Sequence, residues 1–297
     1  MNEIAFWGGA VVLVLIVVLL LFASGRGSSI AQPSAAPPAN SCGEVITVET
    51  HDRTTTRYAL AQGAPAEDAR IVLVLLVGGG GNINLDDKGC PRSLSRNVLM
   101  RMRRLFHGAG FVTALVDAPS DSSGADGLAE FRITAQHADD LAKLIVDLRT
   151  RTNGSVWLVG HSRGTISAAN AGVRLSGSAA PDGLVLMSAM MSGDPRARKP
   201  LAKQSVFDLP LEAIKTPILV VGHAADNCER SPAALMESIA ARAQGVRKQV
   251  VTVTGGPINP GRPTSLSACE VREPHDYVDQ EPEVAAGIAR FIRGGSY

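Results

Sequence analysis

Five residues near the middle of the chain, 160–164 (GHSRG), constrain its fold more than any other feature. They fit the pattern G-x-S-x-G, which needs a strand before the serine and a helix after it. The preceding VWLV is typical of a buried strand, and the following TISAANAG is typical of a helix. The glycines two residues before and two residues after the serine have no side chain that could clash with the neighbouring strand and helix in a strained turn. The context predicts that Ser162 stands clear of a sheet on this turn; the alternative is a serine that only caps the helix.

The chain after residue 42 alternates apolar strands with amphipathic helices. Residues 44–50 and 55–60 alternate polar and apolar side chains and predict an antiparallel hairpin. Residues 71–77 (IVLVLLV) are typical of a strand buried on both faces of a parallel sheet. Further strands are predicted at 111–117, 156–160, 184–188, 217–222 and 249–254, and helices at 93–107, 134–149, 164–175, 232–243 and 282–292. This order predicts an α/β fold, with a mostly parallel central sheet and helices on both faces, in one domain at 42–297.

Charge and composition argue against several kinds of partner. The chain has 29 basic and 28 acidic residues, a net charge of +1, which gives no electrostatic reason to expect nucleic acid. Four glycines at 78–81 lack the Lys-Ser/Thr pair of a phosphate-binding loop, so nucleotide binding is not expected. No C-x-x-C pair occurs, so no metal site is predicted, and the expected chemistry needs no cofactor.

The N-terminal segment, residues 1–23, contains an apolar run without charge from residue 4 onward. Twenty helical residues span roughly 30 Å, the thickness of a hydrocarbon core. The run is longer than a secretory h-region and is preceded by MNE, which favours a membrane anchor; small residues at 29–31 leave a cleaved signal peptide open. Arg26 favours keeping the following chain in the cytoplasm. Residues 24–41, mostly Gly, Ser, Ala and Pro, predict a flexible linker.

A serine nucleophile needs a base, and the base needs an orienting acid. In proteins with this turn the acid and then the histidine follow the serine along the chain. Asp226 follows the predicted strand 217–222 by four residues, and His275 lies between the last predicted strand and the last helix. The sequence therefore predicts Ser162 as nucleophile, Asp226 as acid and His275 as base. Asp194, after the preceding strand, is the alternative acid.

The negative oxygen that forms during nucleophilic attack needs two backbone N–H donors. One is expected from Arg163, the residue after the nucleophile. The second is expected from the glycine-rich loop 78–81, at Gly79 or Gly80, because glycine lets the backbone approach a substrate closely.

These features together resemble the α/β-hydrolase superfamily across essentially all of 42–297. The resemblance extends to secreted or periplasmic bacterial members that have a cysteine shortly after the aspartate and another just before the histidine. It implies a catalytic triad and an oxyanion site formed by Ser162, Asp226, His275, Gly79, Gly80 and Arg163. It does not imply a substrate, because the superfamily also includes lyases, dehalogenases and non-catalytic proteins.

Four cysteines allow three disulfide connectivities. Cys228 lies two residues after the candidate acid, and Cys269 lies six residues before the candidate base. If acid and base touch, these loops are neighbours, and the hypothesis is a Cys228–Cys269 disulfide with a second between Cys42 and Cys90. Both bonds require an oxidising compartment. The domain is then expected outside the cytoplasm, held at the membrane or secreted; four reduced thiols are the alternative.

The segment between the two strands that follow the nucleophile bears on the size and charge of the substrate. About thirty mostly polar residues separate the predicted strands 184–188 and 217–222, so a large hydrophobic lid is not expected. Met187 is expected in the core, with Met190 and Met191 partly exposed; the alternative is that all three line an apolar acyl pocket. Four cations near the nucleophile or on this insert favour an anionic substrate: Arg163, Arg196, Arg198 and Lys199.

The sequence predicts an enzyme that cleaves small or medium carboxylic esters, or thioesters, through an acyl-enzyme. The expected partners are a small-molecule ester and, through residues 1–23, a membrane. The alternative is a membrane-tethered binding or sensory domain that kept this fold without turnover.

Overall fold

The apolar runs of the sequence form eight strands in the computed structural model. They are β1 (Glu44–Glu49), β2 (Thr55–Gln62), β3 (Ile71–Leu76), β4 (Val112–Val116), β5 (Ser155–His161), β6 (Gly183–Met187), β7 (Ile218–His223) and β8 (Lys248–Val253). One sheet contains them all, in the order β1-β2-β4-β3-β5-β6-β7-β8. β2 is antiparallel to β1 and β4, and every other neighbouring pair is parallel. The predicted hairpin and mostly parallel sheet are confirmed.

The structure describes residues 41–63, 70–124, 126–257, 261–270 and 272–297. The predicted anchor or signal peptide at 1–23, and the linker at 24–41 except its last residue, lie outside these ranges. Among the helices within them, none combines the length and the apolar character that a bilayer crossing needs.

Five α-helices cover both faces of the sheet, as predicted. They are α1 (Val98–Gly108), α2 (Ala135–Thr152), α3 (Gly164–Arg174), α4 (Met236–Arg242) and α5 (Glu281–Ile292). Alternate residues of β3 point to opposite faces, so Val72 and Val74 lie in one apolar core and Leu73 and Leu75 in another. The first core includes residues of α2, α3 and α4, and the second includes residues of α1 and α5.

Helix α1 begins five residues later than the predicted start at residue 93. Asn97 caps it, because its side-chain oxygen accepts the N–H of Leu99 at 3.0 Å. Leu94, which the apolar spacing assigned to the helix, instead has a φ of 52° and is 38% exposed. The apolar spacing alone placed the start of α1 too early. Leu94 precedes Val98 by about one helical turn, so it fits the pattern although it does not belong to the helix.

Two disulfides join loops that are distant in the chain. Cys42 pairs with Cys90 and Cys228 pairs with Cys269, which is the pairing of the hypothesis. Such bonds persist in oxidising surroundings, so they favour an extracellular or periplasmic environment for the domain.

Candidate active site

Ser162, Asp226 and His275 lie in segments that follow β5, β7 and β8, at the carboxyl edge of the parallel strands, the usual position of sites in open α/β sheets. Ser162 directly follows β5 and has a φ of 53°, a strained conformation for a residue other than glycine. A Cβ on Gly160 would lie 2.6 Å from the carbonyl oxygen of Gly164, and one on Gly164 would overlap the carbonyl oxygen of Leu76. Only glycine fits at both positions, and the predicted strand–turn–helix is confirmed.

The structure brings Asp226 and His275 into direct contact. The Nδ1–H of His275 donates to Oδ2 of Asp226 at 2.8 Å, and the two side chains are 1% and 2% exposed. Nε2 of His275 is buried and has no hydrogen-bond partner among the described residues. In the neutral tautomer that donates from Nδ1 to this carboxylate, the ring presents its lone pair at Nε2.

Asp194, the alternative acid, occupies a different environment. Its Oδ1 accepts the backbone N–H of Arg196 at 2.9 Å, and its own N–H donates to the carbonyl of Ala202. Within the described ranges, the carboxylate that contacts His275 is that of Asp226.

The hydroxyl of Ser162 does not face the histidine in this structure. Its Oγ lies 3.9 Å from Sδ of Met190, and the described residues include no hydrogen bond between Ser162 and His275. Catalytic hydrogen bonds are often long or unformed before substrate binds, so this orientation does not exclude His275 as a base.

The glycine-rich loop lies directly against the nucleophile. A Cβ on Gly78 would lie 2.9 Å from Cβ of Ser162 and 3.4 Å from its Oγ. The backbone N–H groups of Gly79, Gly80 and Arg163 have no acceptor in the part of the chain that the structure describes. These are the three donors named from the sequence, and they remain available to an oxygen atom bound beside Ser162.

Arg132 lies beneath this loop, and nothing in the sequence singled it out. Its Nη2 donates to the carbonyl oxygens of Val77 at 3.0 Å and of Gly79 at 3.3 Å. The C=O and N–H of a trans peptide point in opposite directions. The two bonds therefore turn the N–H groups of Gly78 and Gly80 away from Arg132, and the guanidinium fixes the orientation of the loop.

The positive charge of Arg132 has no ion-pair partner in the described ranges. Its Nη1 donates to Oγ of Ser167 at 2.8 Å, and its side chain is fully buried. Burial, and then the nearby charge of Arg163, lower the pKa of Arg132 to about 9. The group is still protonated at neutral pH, so a cation lies under the glycine-rich loop.

His161, the second residue of GHSRG, holds the loop that contains His275. Its Nε2–H and the hydroxyl of Ser188 both donate to the carbonyl oxygen of His275, at 3.0 and 2.8 Å. The side-chain amide of Asn97 donates to Nδ1 of His161 at 3.1 Å, which fixes the neutral tautomer with its proton on Nε2. Burial lowers the pKa of His161 to about 4.

This buried histidine is expected to make the fold sensitive to acid. Because its pKa is about 4 in the fold against 6.5 unfolded, only the unfolded chain takes up the proton between these values. Stability is then fully present above pH 6.5 and falls by about 1.4 kcal/mol per pH unit as the pH drops toward 4. His161→Gln, which keeps a donor, should reduce the loss between pH 7 and 4.5 by about 2 kcal/mol in urea unfolding. Equal pH dependence of the two proteins would contradict this.

One group of side chains has the composition of a metal site but does not fit a metal. Single atoms of Asp226, Cys228 and His275 lie within 4.8 Å of one another. Cys228 is bonded to Cys269, so its sulfur offers no thiolate, and the other two groups already bond to each other.

The cations and methionines that the sequence suggested for substrate binding are not all exposed. Arg196, Arg198 and Lys199 are exposed on the insert, whereas Arg163 is buried beside the nucleophile. The expected partial exposure of Met190 and Met191 is wrong. Both are buried, because the N–H of Met190 donates to the hydroxyl of Thr165 and the N–H of Met191 donates to the carbonyl of Arg230.

The sequence matches no protein-family model, and no curated protein matches it. Solved structures do resemble the fold. Thermogutta terrifontis esterase 2 phosphonylated by sarin is 17% identical, with 87% of this chain and 97% of that chain covered and a TM-score of 0.56. Est1E from Butyrivibrio proteoclasticus is 12% identical, with 84% and 98% covered and a TM-score of 0.55. An alpha-beta serine hydrolase homologue from Coxiella burnetii is 13% identical, with 84% and 97% covered and a TM-score of 0.53.

At sequence identities this low, structural similarity shows a shared fold but not a shared activity. The sheet order, the strand–turn–helix at Ser162 and these structural neighbours agree. The chain therefore has the α/β-hydrolase fold that the resemblance of its motifs implied.

Proposed function

We propose that this protein is a serine hydrolase that cleaves carboxylic esters, or thioesters, through an acyl-enzyme. The observation that carries the proposal is the buried Asp226–His275 pair, whose Nε2 has no partner among the described residues, beside a serine on a strained turn. An imidazole oriented by a carboxylate on one side and open on the other is suited to act as a general base. The esterases and serine hydrolase homologue of the same fold agree with this chemistry.

The proposed reaction has two halves. Oγ of Ser162 attacks the acyl carbon while Nε2 of His275 takes the hydroxyl proton, giving a tetrahedral intermediate. The intermediate collapses to an acyl-serine, and the leaving alcohol or thiol receives that proton from His275. A water then loses a proton to His275 and attacks the acyl carbon, giving a second tetrahedral intermediate. Its bond to Oγ breaks, the carboxylic acid leaves, and His275 returns the proton to Oγ of Ser162. Asp226 orients the ring and stabilises the imidazolium in both halves.

The negative oxygen of each intermediate is proposed to accept hydrogen bonds from the N–H groups of Arg163 and of Gly79 or Gly80. The loop's position against Ser162 supports this role, as does the absence of an acceptor for these donors in the described ranges. Preorganised donors of this kind are usually the largest electrostatic contribution to acyl-transfer catalysis.

Residues 1–23 are proposed to hold the catalytic domain at a membrane, outside the cytoplasm, or to direct its secretion if they are removed. The apolar run and the two disulfides support this location. Fractionation of cells that produce the full chain, with the N-terminal residue of the mature protein determined, distinguishes the two outcomes.

The activity is tested by intact mass of the full chain after exposure to a fluorophosphonate, with Ser162→Ala alongside. One adduct on the parent and none on the variant is expected. The rival function is a non-catalytic binding or sensory domain, and the orientation of Ser162 toward Met190 favours it. No adduct on a folded, disulfide-bonded parent would favour that rival and contradict the proposal.

Arg132→Met is expected to lower kcat on an activated ester 100- to 1,000-fold with little change in KM, a loss similar to that of one oxyanion donor. The reason is that its bonds to Val77 and Gly79 orient the loop that would hold the oxyanion. Stopped-flow and steady-state kinetics measure this split between kcat and KM.

Arg103→Met is the matched control. Arg103 is also buried without an ion-pair partner in the described ranges, and burial lowers its pKa to about 10, but it bonds to the carbonyl of Cys42, in the loop before β1. Similar losses of kcat in both variants would mean that removing any buried arginine disturbs the site, and would contradict a specific role for Arg132.

A further inference from the structure

A buried guanidinium without a partner adjoins the nucleophile. The side chain of Arg163 is 6% exposed, and its Nε and Nη2 are buried without hydrogen-bond partners in the part of the chain that the structure describes. None of the ion pairs formed by the described residues includes Arg163. Burying a cation is costly unless an anion compensates its charge. The fold alone therefore does not explain this side chain.

A second guanidinium borders the same region. The side chain of Arg230 is 13% exposed, and its Nε also lacks a hydrogen-bond partner among the described residues. Its only ion pair there, with the adjacent Glu229, is long at 3.5 Å and involves a 40% exposed carboxylate. The carbonyl oxygen of Arg230 accepts the N–H groups of Met191 and Ser192. Because the preceding Met190 contacts Oγ of Ser162, these bonds attach Arg230 to the wall of the site.

The charge of Arg230 acts on Arg163. Burial, and then the charge of Arg230, lower the pKa of Arg163 to about 10. The one carboxylate that opposes this shift is Asp126, which is exposed and forms no ion pair with Arg163 in the described ranges. Two buried cations with unused donors suit an anion, because a guanidinium can donate two parallel hydrogen bonds to a pair of oxygens of a carboxylate or phosphate.

We propose that Arg163 and Arg230 bind an anionic group, a carboxylate or a phosphate, that the substrate carries close to the scissile ester. This substrate class rests on the proposed hydrolase function, although the anion site itself does not. The anionic group would lie within reach of one arginine side chain from the nucleophile, because Arg163 is bonded directly to Ser162. The exposed cations of the insert, Arg196 among them, take no part in this site.

The test measures binding without turnover, in the full chain with Ser162→Ala. Isothermal titration compares monomethyl glutarate, which has one carboxylate, with the neutral dimethyl glutarate and with inorganic phosphate. We expect at least one of the two anions to bind ten-fold or more tighter than the neutral diester. A preference for the half-ester assigns the site to carboxylates, and tighter binding of phosphate assigns it to phosphate groups.

Variants in the Ser162→Ala background identify the residues responsible. Adding Arg163→Met or Arg230→Met should reduce the preference to two-fold or less, whereas Arg196→Met should leave it unchanged; melting temperatures verify that each variant is folded. Equal or undetectable binding of the anions and the diester overturns the proposal, as does a preference that survives both substitutions. The fluorophosphonate adduct is measured separately on the parent, so failure of the hydrolase function cannot be mistaken for failure of the anion site.

Discussion

The substitution Asp226→Asn is expected to lower kcat on an activated ester by about ten-thousand-fold. The carboxylate of Asp226 accepts the Nδ1–H of His275 and so keeps Nε2 unprotonated. An asparagine amide would donate to Nδ1 instead and force the proton onto Nε2, where it blocks acceptance of the serine proton. The buried geometry would change little, because the two side chains have the same shape.

Asp194→Asn is the matched control, since Asp194 is the other acid that chain order allows. Its carboxylate bonds to the backbone of Arg196 and should affect kcat no more than about two-fold. Steady-state kinetics of both variants on one p-nitrophenyl ester measure the contrast. Full activity of Asp226→Asn, or an equal loss in Asp194→Asn, would remove Asp226 from the proposed mechanism.

The parts of the site that the sequence predicted depend on local pattern and strand order. The turn at Ser162 is fixed by glycines within two residues of it, so a short window contains the whole signal. The contact between Asp226 and His275 follows from parallel topology, because loops after β7 and β8 lie at the same edge of the sheet. Both predictions could be made from local residue pattern and strand order, without knowing how side chains from distant segments pack.

Arg132 could not be predicted in the same way. Its acceptors at Val77, Gly79 and Ser167 belong to segments far from it in sequence, and an arginine in a short turn is most often exposed. The start of α1 was missed for a different reason, because the apolar spacing of Leu94 matched a helix while the cap at Asn97 marked its true beginning. Contacts between distant segments decide the position of Arg132, whereas a local cap decides where α1 begins.

The two disulfides allow a prediction that separates stability from catalysis. Cys42–Cys90 and Cys228–Cys269 close segments of similar length, with sequence separations of 48 and 41. By loop entropy, replacing either pair with alanine should lower the free energy of unfolding by about 4 kcal/mol. Urea unfolding of the two double variants of the full chain measures this, and the two losses should agree closely.

Activity should distinguish the same two variants. Cys228 lies two residues after Asp226, and its N–H donates to the carboxylate of Asp226 at 2.8 Å, so its bond to Cys269 links the acid loop to the segment before His275. Losing that link should displace the acid and lower kcat about ten- to a hundred-fold at a temperature where both variants are folded. The variant without Cys42–Cys90 should keep its kcat within about two-fold, because that bond fastens the start of the domain and touches neither loop. Equal kcat losses in the two variants would mean that the second disulfide stabilises the fold without positioning Asp226.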